Sequence, residues 1–392
     1  MAKRFPTPLW VVVPGDLETR TGGYGYDRRM IAGLRETGWD VRVVRLDTSF
    51  PCPTDAARDE ARRALAAVPD GGLVLFDGLA LGALPDEVSA EASRLALVAL
   101  VHHPLALETG LDARRAADLE DTERRALIAV RHVVVTSRGT AATLARYNVE
   151  PHRITVVEPG TDPAPLAQIH QQPPCAADQY APRASASAAV YDSMSTAHQH
   201  PLRGSSDAVV HLLCVASLTP RKGYEILLDA LASVPHDHWR LRCAGSDRDA
   251  ESTTRVRARL RNPRLAARVE LIGDMDGAQL AREYEAADLF VLATLYEGYG
   301  MVVAEALARG LPIVSTRTGA IADLVGDSAG ITVEPGDSDT LRDALTRVIA
   351  DPALRARLAA GARDVRDRLP TWNDSVARLA RVLARARDAA NG

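Results

Sequence analysis

Aromatic residues make up only 4% of this 392-residue chain, cysteines number four, and no stretch of about 18 apolar residues occurs anywhere. Each scarcity excludes something. With so few rings the core must be built from Ala-rich helices and Val/Leu-rich strands. Cys52, Cys175, Cys214 and Cys243 have no C-x-x-C spacing and no nearby histidine pattern, which excludes a disulfide framework and a zinc ribbon. No hydrophobic run is long enough for a membrane-spanning helix. The N-terminus, Met-Ala-Lys-Arg-Phe-Pro-Thr-Pro, runs straight into a short strand without the apolar core of a signal peptide. A cytoplasmic protein is therefore expected, and nothing in the composition rules out peripheral contact with a membrane. A formal net charge of −4 and the lack of a basic block argue against nucleic acid as a partner.

What remains is 46% hydrophobic and 25% charged, the balance of a globular protein, at a length that calls for two domains. Short apolar runs alternate with helical periodicity through the first half, with strands expected at Leu9–Val13, Val41–Leu46, Leu73–Phe76, Leu95–Val101, Val133–Thr136 and Ile154–Val157. From 169 to 207 the pattern gives way to Gln, Pro, Ala, Ser and His, a composition that cannot bury enough surface to fold alone. It resumes with strands expected at Val210–Val215, Leu241–Ala244, Val269–Ile272, Leu289–Ala293, Ile313–Ser315 and Gly330–Val333. Such alternation predicts α/β architecture: two Rossmann-like, doubly wound domains facing a cleft, with ligands at the carboxyl ends of the strands. The expected division is 1–168, a linker or excursion over 169–207, 208–370, and a final helix over 371–392.

One segment is unusually informative. Ala293-Thr-Leu-Tyr-Glu-Gly-Tyr-Gly-Met-Val-Val-Ala-Glu305 places Glu297 at the tip of an apolar strand, follows it with Gly298 and Gly300, and opens a helix carrying Glu305. Glycines let backbone N–H groups approach an anion, and a helix N-terminus favours negative charge there. Carboxylates accept hydrogen bonds from sugar or ribose hydroxyls, so the combination suits a nucleotide-sugar. On spacing alone, Glu305 and Arg309 equally satisfy an exposed i,i+4 ion pair.

Three further stretches bear on the same chemistry. In Thr219-Pro-Arg-Lys-Gly223, Arg221 and Lys222 stand at a helix start, where cations are poorly placed for the helix dipole unless an anion joins them. Gly22 and Gly23 precede the first helix and offer N–H groups to an anion. The sequence there lacks the third glycine of a dinucleotide fingerprint and begins well past the strand, which excludes an NAD site. Val101-His-His-Pro104 ends the fourth strand, and His103 is the histidine taken to contact a sugar hydroxyl or move a proton. With no D-x-D and no third ligand near it in sequence, a metal is not expected.

Together these residues resemble the retaining glycosyltransferases of family 4, which have the GT-B fold. The resemblance covers nearly the whole chain outside 169–207 and is strongest where Glu297 to Glu305 match the family's E-x7-E motif. It implies that Glu297 lies at the donor hexose and that Glu305 binds the ribose hydroxyls. It further implies that the N–H groups of Gly298, Tyr299, Gly300, Met301 and Val302 line sugar and diphosphate. Lys222 would neutralise the diphosphate, Gly22-Gly23 would close over it, and the last helix, with Trp372, would cross back to the first domain. The implied substrates are a UDP- or GDP-sugar and an unidentified acceptor, without a cofactor or metal. Two positions depart from the pattern: Ser217 replaces an arginine five residues before Lys222, and Gly319-Ala320 with Asp323 replace a Gly-Gly pair and a glutamate. A non-catalytic nucleotide-sugar-binding protein and a GT-B epimerase or phosphorylase fit the same residues.

Overall fold

The structure is a computed structural model that describes residues 8–168 and 209–389; the 169–207 segment lies outside the described residues. Two six-stranded sheets organise the chain, and every strand pairing in them is parallel. The first contains β1 (Pro8–Pro14), β2 (Asp40–Leu46), β3 (Leu73–Asp77), β4 (Ala96–Val101), β5 (His132–Val135) and β6 (Ile154–Val156), in the spatial order β2-β1-β3-β4-β5-β6. The second contains β7 (Val210–Val215), β8 (Trp239–Ala244), β9 (Val269–Gly273), β10 (Leu289–Leu292), β11 (Ile313–Thr316) and β12 (Gly330–Val333), in the order β12-β11-β10-β7-β8-β9.

The strands that read as unbroken apolar runs are the central ones. Every residue of β3, β4, β10 and β11 is buried, as expected where helices cover both faces of a parallel sheet. At the edge, β9 is only partly covered, with Glu270 and Gly273 exposed. Cys214 and Cys243 face each other across β7 and β8 as buried free thiols, consistent with small core residues.

Strand order decides where a ligand can sit. Winding reverses direction between β1 and β3 in the first sheet, and between β7 and β10 in the second. Loops leaving the two strands at such a reversal diverge and open a crevice beyond their carboxyl ends. Residues just past the strand ends of one sheet meet those of the other. A Cβ on Gly298, after β10, would lie 2.3 Å from the carbonyl oxygen of His102, after β4. One on Gly139, after β5, would lie 2.9 Å from the carbonyl oxygen of Gly319, after β11. The absence of side chains lets the two halves close on one another at these points. Gly298→Ala is accordingly expected to cost roughly 1–3 kcal/mol by overpacking, read as a lowered Tm; an unchanged Tm would show that the two halves do not close this far.

The crossing back of the last helix is present. Helix Pro352–Arg366 stays with the second half, where Gly361 abuts Ser328, and the chain then turns at Pro370. Helix Trp372–Asp388 starts with a Thr371/Asp374 capping box and lies against helix Gly22–Glu36. Its Val376, Leu379, Val382, Leu383 and Ala386 join Leu9, Val11 and Val13 in the core of the first half. Two glycines make room for it: a Cβ on Gly33 would strike Val376, and one on Gly160 would fall 2.2 Å from the Trp372 nitrogen. Among the described residues no helix is long and apolar enough to cross a membrane.

Candidate active site

The loops leaving β7 and β10 build one wall of the crevice, and they are bonded to each other. After β7 a short 3-10 turn, Pro220–Lys222, ends at Gly223, which takes φ +64° and caps helix Tyr224–Ala232. A side chain at 223 would collide with the Ala293 carbonyl oxygen at 2.0 Å, so position and backbone angle both call for glycine. After β10, Leu295 N–H and the Thr294 hydroxyl both donate to the Arg221 carbonyl oxygen, at 2.7 and 3.1 Å. Glu297 thus stands five residues beyond the last residue of the strand, Leu292, rather than at the strand tip the apolar run suggests. The Ala293–Tyr296 stretch continues buried or half-buried, but pairs with the neighbouring loop instead of a strand.

That pairing sets Lys222 against Glu297. The ammonium donates to Glu297 Oε2, and Arg221 Nη1 lies 3.7 Å from the same oxygen while also donating to the Tyr296 carbonyl at 3.0 Å. With side chains only 15% and 16% exposed, Lys222 and Glu297 are shielded from the screening that makes surface ion pairs weak. Burial works to raise the Glu297 carboxyl; the Lys222 ammonium, then Arg221, more than offset it and hold it below the usual range.

Glu305 occupies the next helix, Met301–Ala308, one turn in. That helix begins at Gly300 with φ +91° and no side-chain cap, so its first N–H groups are available to an anion. The carboxylate of Glu305 is half-buried, not exposed, and accepts from the Tyr284 hydroxyl at 2.9 Å. Arg309 does not neutralise it as a surface pair would. Its Nη1 donates to the Glu305 backbone carbonyl at 3.0 Å, and its guanidinium lies over the Tyr284 ring at 4.6 Å. Burial raises the Glu305 carboxyl, with Tyr284 and Arg309 opposing. Tyr284 is a residue that sequence reading missed, because a tyrosine on an ordinary amphipathic helix carries no motif. Tyr284→Phe removes one hydrogen bond to a charged group, worth about 1.5–3 kcal/mol. It is expected to weaken nucleotide binding roughly tenfold at neutral pH, as read by calorimetry; unchanged affinity would count against a role for this contact.

The first half supplies the opposite wall. Helix Gly22–Glu36 includes the glycine pair that the sequence places before it, so Gly22 and Gly23 form its first turn and Thr21 caps it through Tyr24 N–H. A Cβ on Gly23 would sit 3.3 Å from the His102 ring, and one on Gly25 would sit 3.9 Å from Met301 Cε, so the two helix starts approach each other. The histidine pair separates. His103 lies 3.4 Å from Glu108 and 5.9 Å from the Tyr296 ring, on the Glu297 side. His102 is engaged by Asp27 at 3.1 Å, with Asp77 at 3.7 Å. Glu108 also reaches across to Arg221 Nε at 3.3 Å. Burial alone would raise Glu108; the hydrogen bond with His103 and the Arg221 charge overcome it and bring its carboxyl down to about 2.

The structure therefore gathers Glu297, Lys222, Arg221 and His103 into one charged cluster, joined by Glu108. Glu305 with the 298–302 turn, and Gly22-Gly23 with His102, lie on its flanks. Ser217 is partly exposed past the end of β7, and Arg221 is the second cation beside Glu297. No third ligand stands near the histidines in sequence, but the fold brings two carboxylates to His102. Asp27, Asp77 and His102 place one ligand-type atom each within 4.8 Å, the one such grouping found among the described residues. The His102 imidazole already partners both acids through Nε2.

Comparison with known proteins fits this geometry. The family model for group 1 glycosyl transferases matches residues 204–365, the half with Lys222, Glu297 and Glu305, and the glycosyltransferase family 4 model matches residues 79–165. The chain belongs to glycosyltransferase family 4. Among family relatives, D-inositol 3-phosphate glycosyltransferase of Xylanimonas cellulosilytica is 28% identical over 67% of this chain and 59% of its own. A GDP-mannose-dependent phosphatidylinositol monomannoside mannosyltransferase of Corynebacterium glutamicum is 29% identical over 46% and 48%. The matches span from about a quarter to about three-fifths of the first curated relatives' lengths. In fold, sucrose-phosphate synthase of Thermosynechococcus elongatus superposes with a TM-score of 0.75 at 21% identity, over 98% of this chain and 100% of that one. Anabaena HepE, solved with UDP-glucose, gives 0.69 at 16% identity, over 96% and 99%. The chain shares with these structures the GT-B fold, two Rossmann-like halves about a cleft.

Proposed function

We propose that this protein transfers a hexose from a UDP- or GDP-sugar to a hydroxylated acceptor, retaining the anomeric configuration and using no metal. The observation that carries the reading is the joining of Lys222, Glu297 and an uncapped helix start at the β7/β10 reversal, with Glu305 one turn along. Diphosphate oxygens at the Met301 helix start would meet free N–H groups, and Lys222 would divide its charge between them and Glu297. Glu305 would accept from the ribose hydroxyls.

In the proposed reaction the bond from the anomeric carbon to the diphosphate oxygen breaks. The acceptor oxygen bonds to that carbon on the same face, and the departing phosphate oxygen takes the acceptor's proton. The protein's task is to stabilise the charge that develops on the diphosphate, through Lys222, backbone N–H groups and the helix terminus. Arg221 supplies a second positive charge where the family arginine is replaced by Ser217.

The relatives' names guide the first substrates. Thermal shift against UDP, GDP and their sugars should identify the donor, since a ligand at 100 times its Kd adds about 2.7 kcal/mol. That donor is then incubated with inositol phosphate or phosphatidylinositol mannoside, with and without EDTA. Acceptor-dependent turnover that survives EDTA and yields the donor's own anomer by NMR is the expected outcome. An inverted product, loss of turnover in EDTA, or sugar conversion without acceptor would each overturn the reading.

A further inference from the structure

Behind the Gly22-Gly23 turn, the first half buries more acid than glycosyl transfer itself requires. Asp27, on helix Gly22–Glu36, is 2% exposed, and Asp77, at the end of β3, is 4% exposed. Both turn toward Nε2 of His102, at the end of β4, and all three come from elements around the β1/β3 reversal. Asp77 also caps the following helix through Leu79 N–H at 2.8 Å, which fixes one of its oxygens. Asp27 Oδ2 is buried and has no hydrogen-bond partner. Two carboxylates this close cannot both ionise in a protected site without a positive partner.

We infer that Asp27 and Asp77 are positioning residues that lock the His102 ring by its Nε2 and keep it a charged donor. Nδ1 is then left as the nitrogen that meets a substrate oxygen. His102 is the member of the trio that reaches the surface, at 21% exposed, and its ring stands against Gly23. A neutral histidine held only by packing could present either nitrogen as donor or acceptor. Here Nε2–H must donate to Asp27, so Nδ1 carries a proton only when the ring is an imidazolium. Burial opposes that form, and the Asp27 carboxylate, followed by Asp77, outweighs it, so His102 titrates above an ordinary histidine. Asp77 moves the other way from an ordinary acid: burial and the Asp27 charge raise it well above the carboxylate range. Tyr26 meets the His102 ring edge-on at 5.4 Å, and Tyr26 and Tyr24, both pushed up by burial, stay neutral. Just past β5, the neutral Thr136 hydroxyl donates to the His102 carbonyl, and from the second half Gly298 packs there without charge.

Only the identity of the substrate oxygen rests on the proposed glycosyl transfer; the state of the ring does not. Histidine-labelled full-length protein is titrated by NMR without ligand, His102→Gln assigning the resonance. His102 should titrate above the ordinary value, and Asp27→Asn should lower it by about one unit or more. Asp77→Asn, which preserves the helix cap, should lower it less and keeps the test open if Asp27→Asn does not fold. In turnover, the active imidazolium is present below its pKa, so kcat/KM is lost as pH rises through that value. Asp27→Asn should therefore move the alkaline limb to lower pH. A His102 resonance unmoved by either variant would overturn the inference, as would one metal ion per chain that Asp27→Asn removes. Absence of turnover with any nucleotide-sugar would instead defeat the glycosyl-transfer reading and leave the titration intact.

Discussion

Replacing Lys222 with alanine should lower kcat by about 100- to 1,000-fold at saturating donor, the loss typical when one preorganised charge-stabilising contact disappears. The Lys222–Glu297 pair adds a second consequence. With the ammonium gone, Glu297 keeps only Arg221 at 3.7 Å, and a shielded carboxylate then faces the place where the diphosphate should develop charge. Removing one member of a protected pair costs more than the pair is worth, so a fall of a few degrees in Tm should accompany the kinetic loss. The double variant Lys222→Ala/Glu297→Gln separates the two effects. If the missing cation is what matters, Tm recovers and kcat does not. A Lys222→Ala protein with near-normal kcat would remove lysine from the mechanism.

Glu305→Ala should act on the ground state. A carboxylate that accepts from a ribose hydroxyl contributes about 1.5–3 kcal/mol through that charged hydrogen bond, and it does so equally before and during the reaction. The donor KM should rise by about ten- to a hundredfold while kcat changes little. The pH dependence of donor binding has a definite sign. Burial raises the Glu305 carboxyl, so the accepting form is present above that raised value, and nucleotide affinity falls as pH drops through it. Calorimetry with the free nucleoside diphosphate measures this without any acceptor. If the alanine variant bound nucleotide normally at every pH, Glu305 would be a structural partner of Tyr284 alone.

Much of this was legible in the sequence, for reasons that particular residues make plain. Strand and helix order followed from apolar runs such as Leu289–Leu292 and Ala96–Val101, because central parallel strands are buried on both faces and must be apolar throughout. The glycines at 223, 298 and 300 stood out because backbone approaches within 3 Å and positive φ admit little else. Partners were harder to see. Tyr284 lies 21 residues before Glu305, Glu108 lies more than 100 before Arg221, and Asp27 lies 75 before His102, so no local spacing links them. The short helices Gly78–Leu81 and Pro85–Glu91 carry too few turns to show a period. Composition held one unused signal: apart from Lys3, Lys222 is the chain's only lysine among 47 basic residues. Where arginine serves nearly everywhere else, a retained lysine marks a place for a compact point charge.

The last helix has a consequence for how the protein is made. Leu379 and Leu383 are fully buried in the core of the first half, each contributing about 1.5–3 kcal/mol, yet they lie more than 200 residues beyond that half's last strand, β6. The first domain therefore emerges from synthesis with an unfilled groove along helix Gly22–Glu36 and closes it only after the second half has been made. During translation that groove is an exposed apolar surface awaiting helix Trp372–Asp388, and a ribosome stalled before Trp372 would hold a half-finished domain.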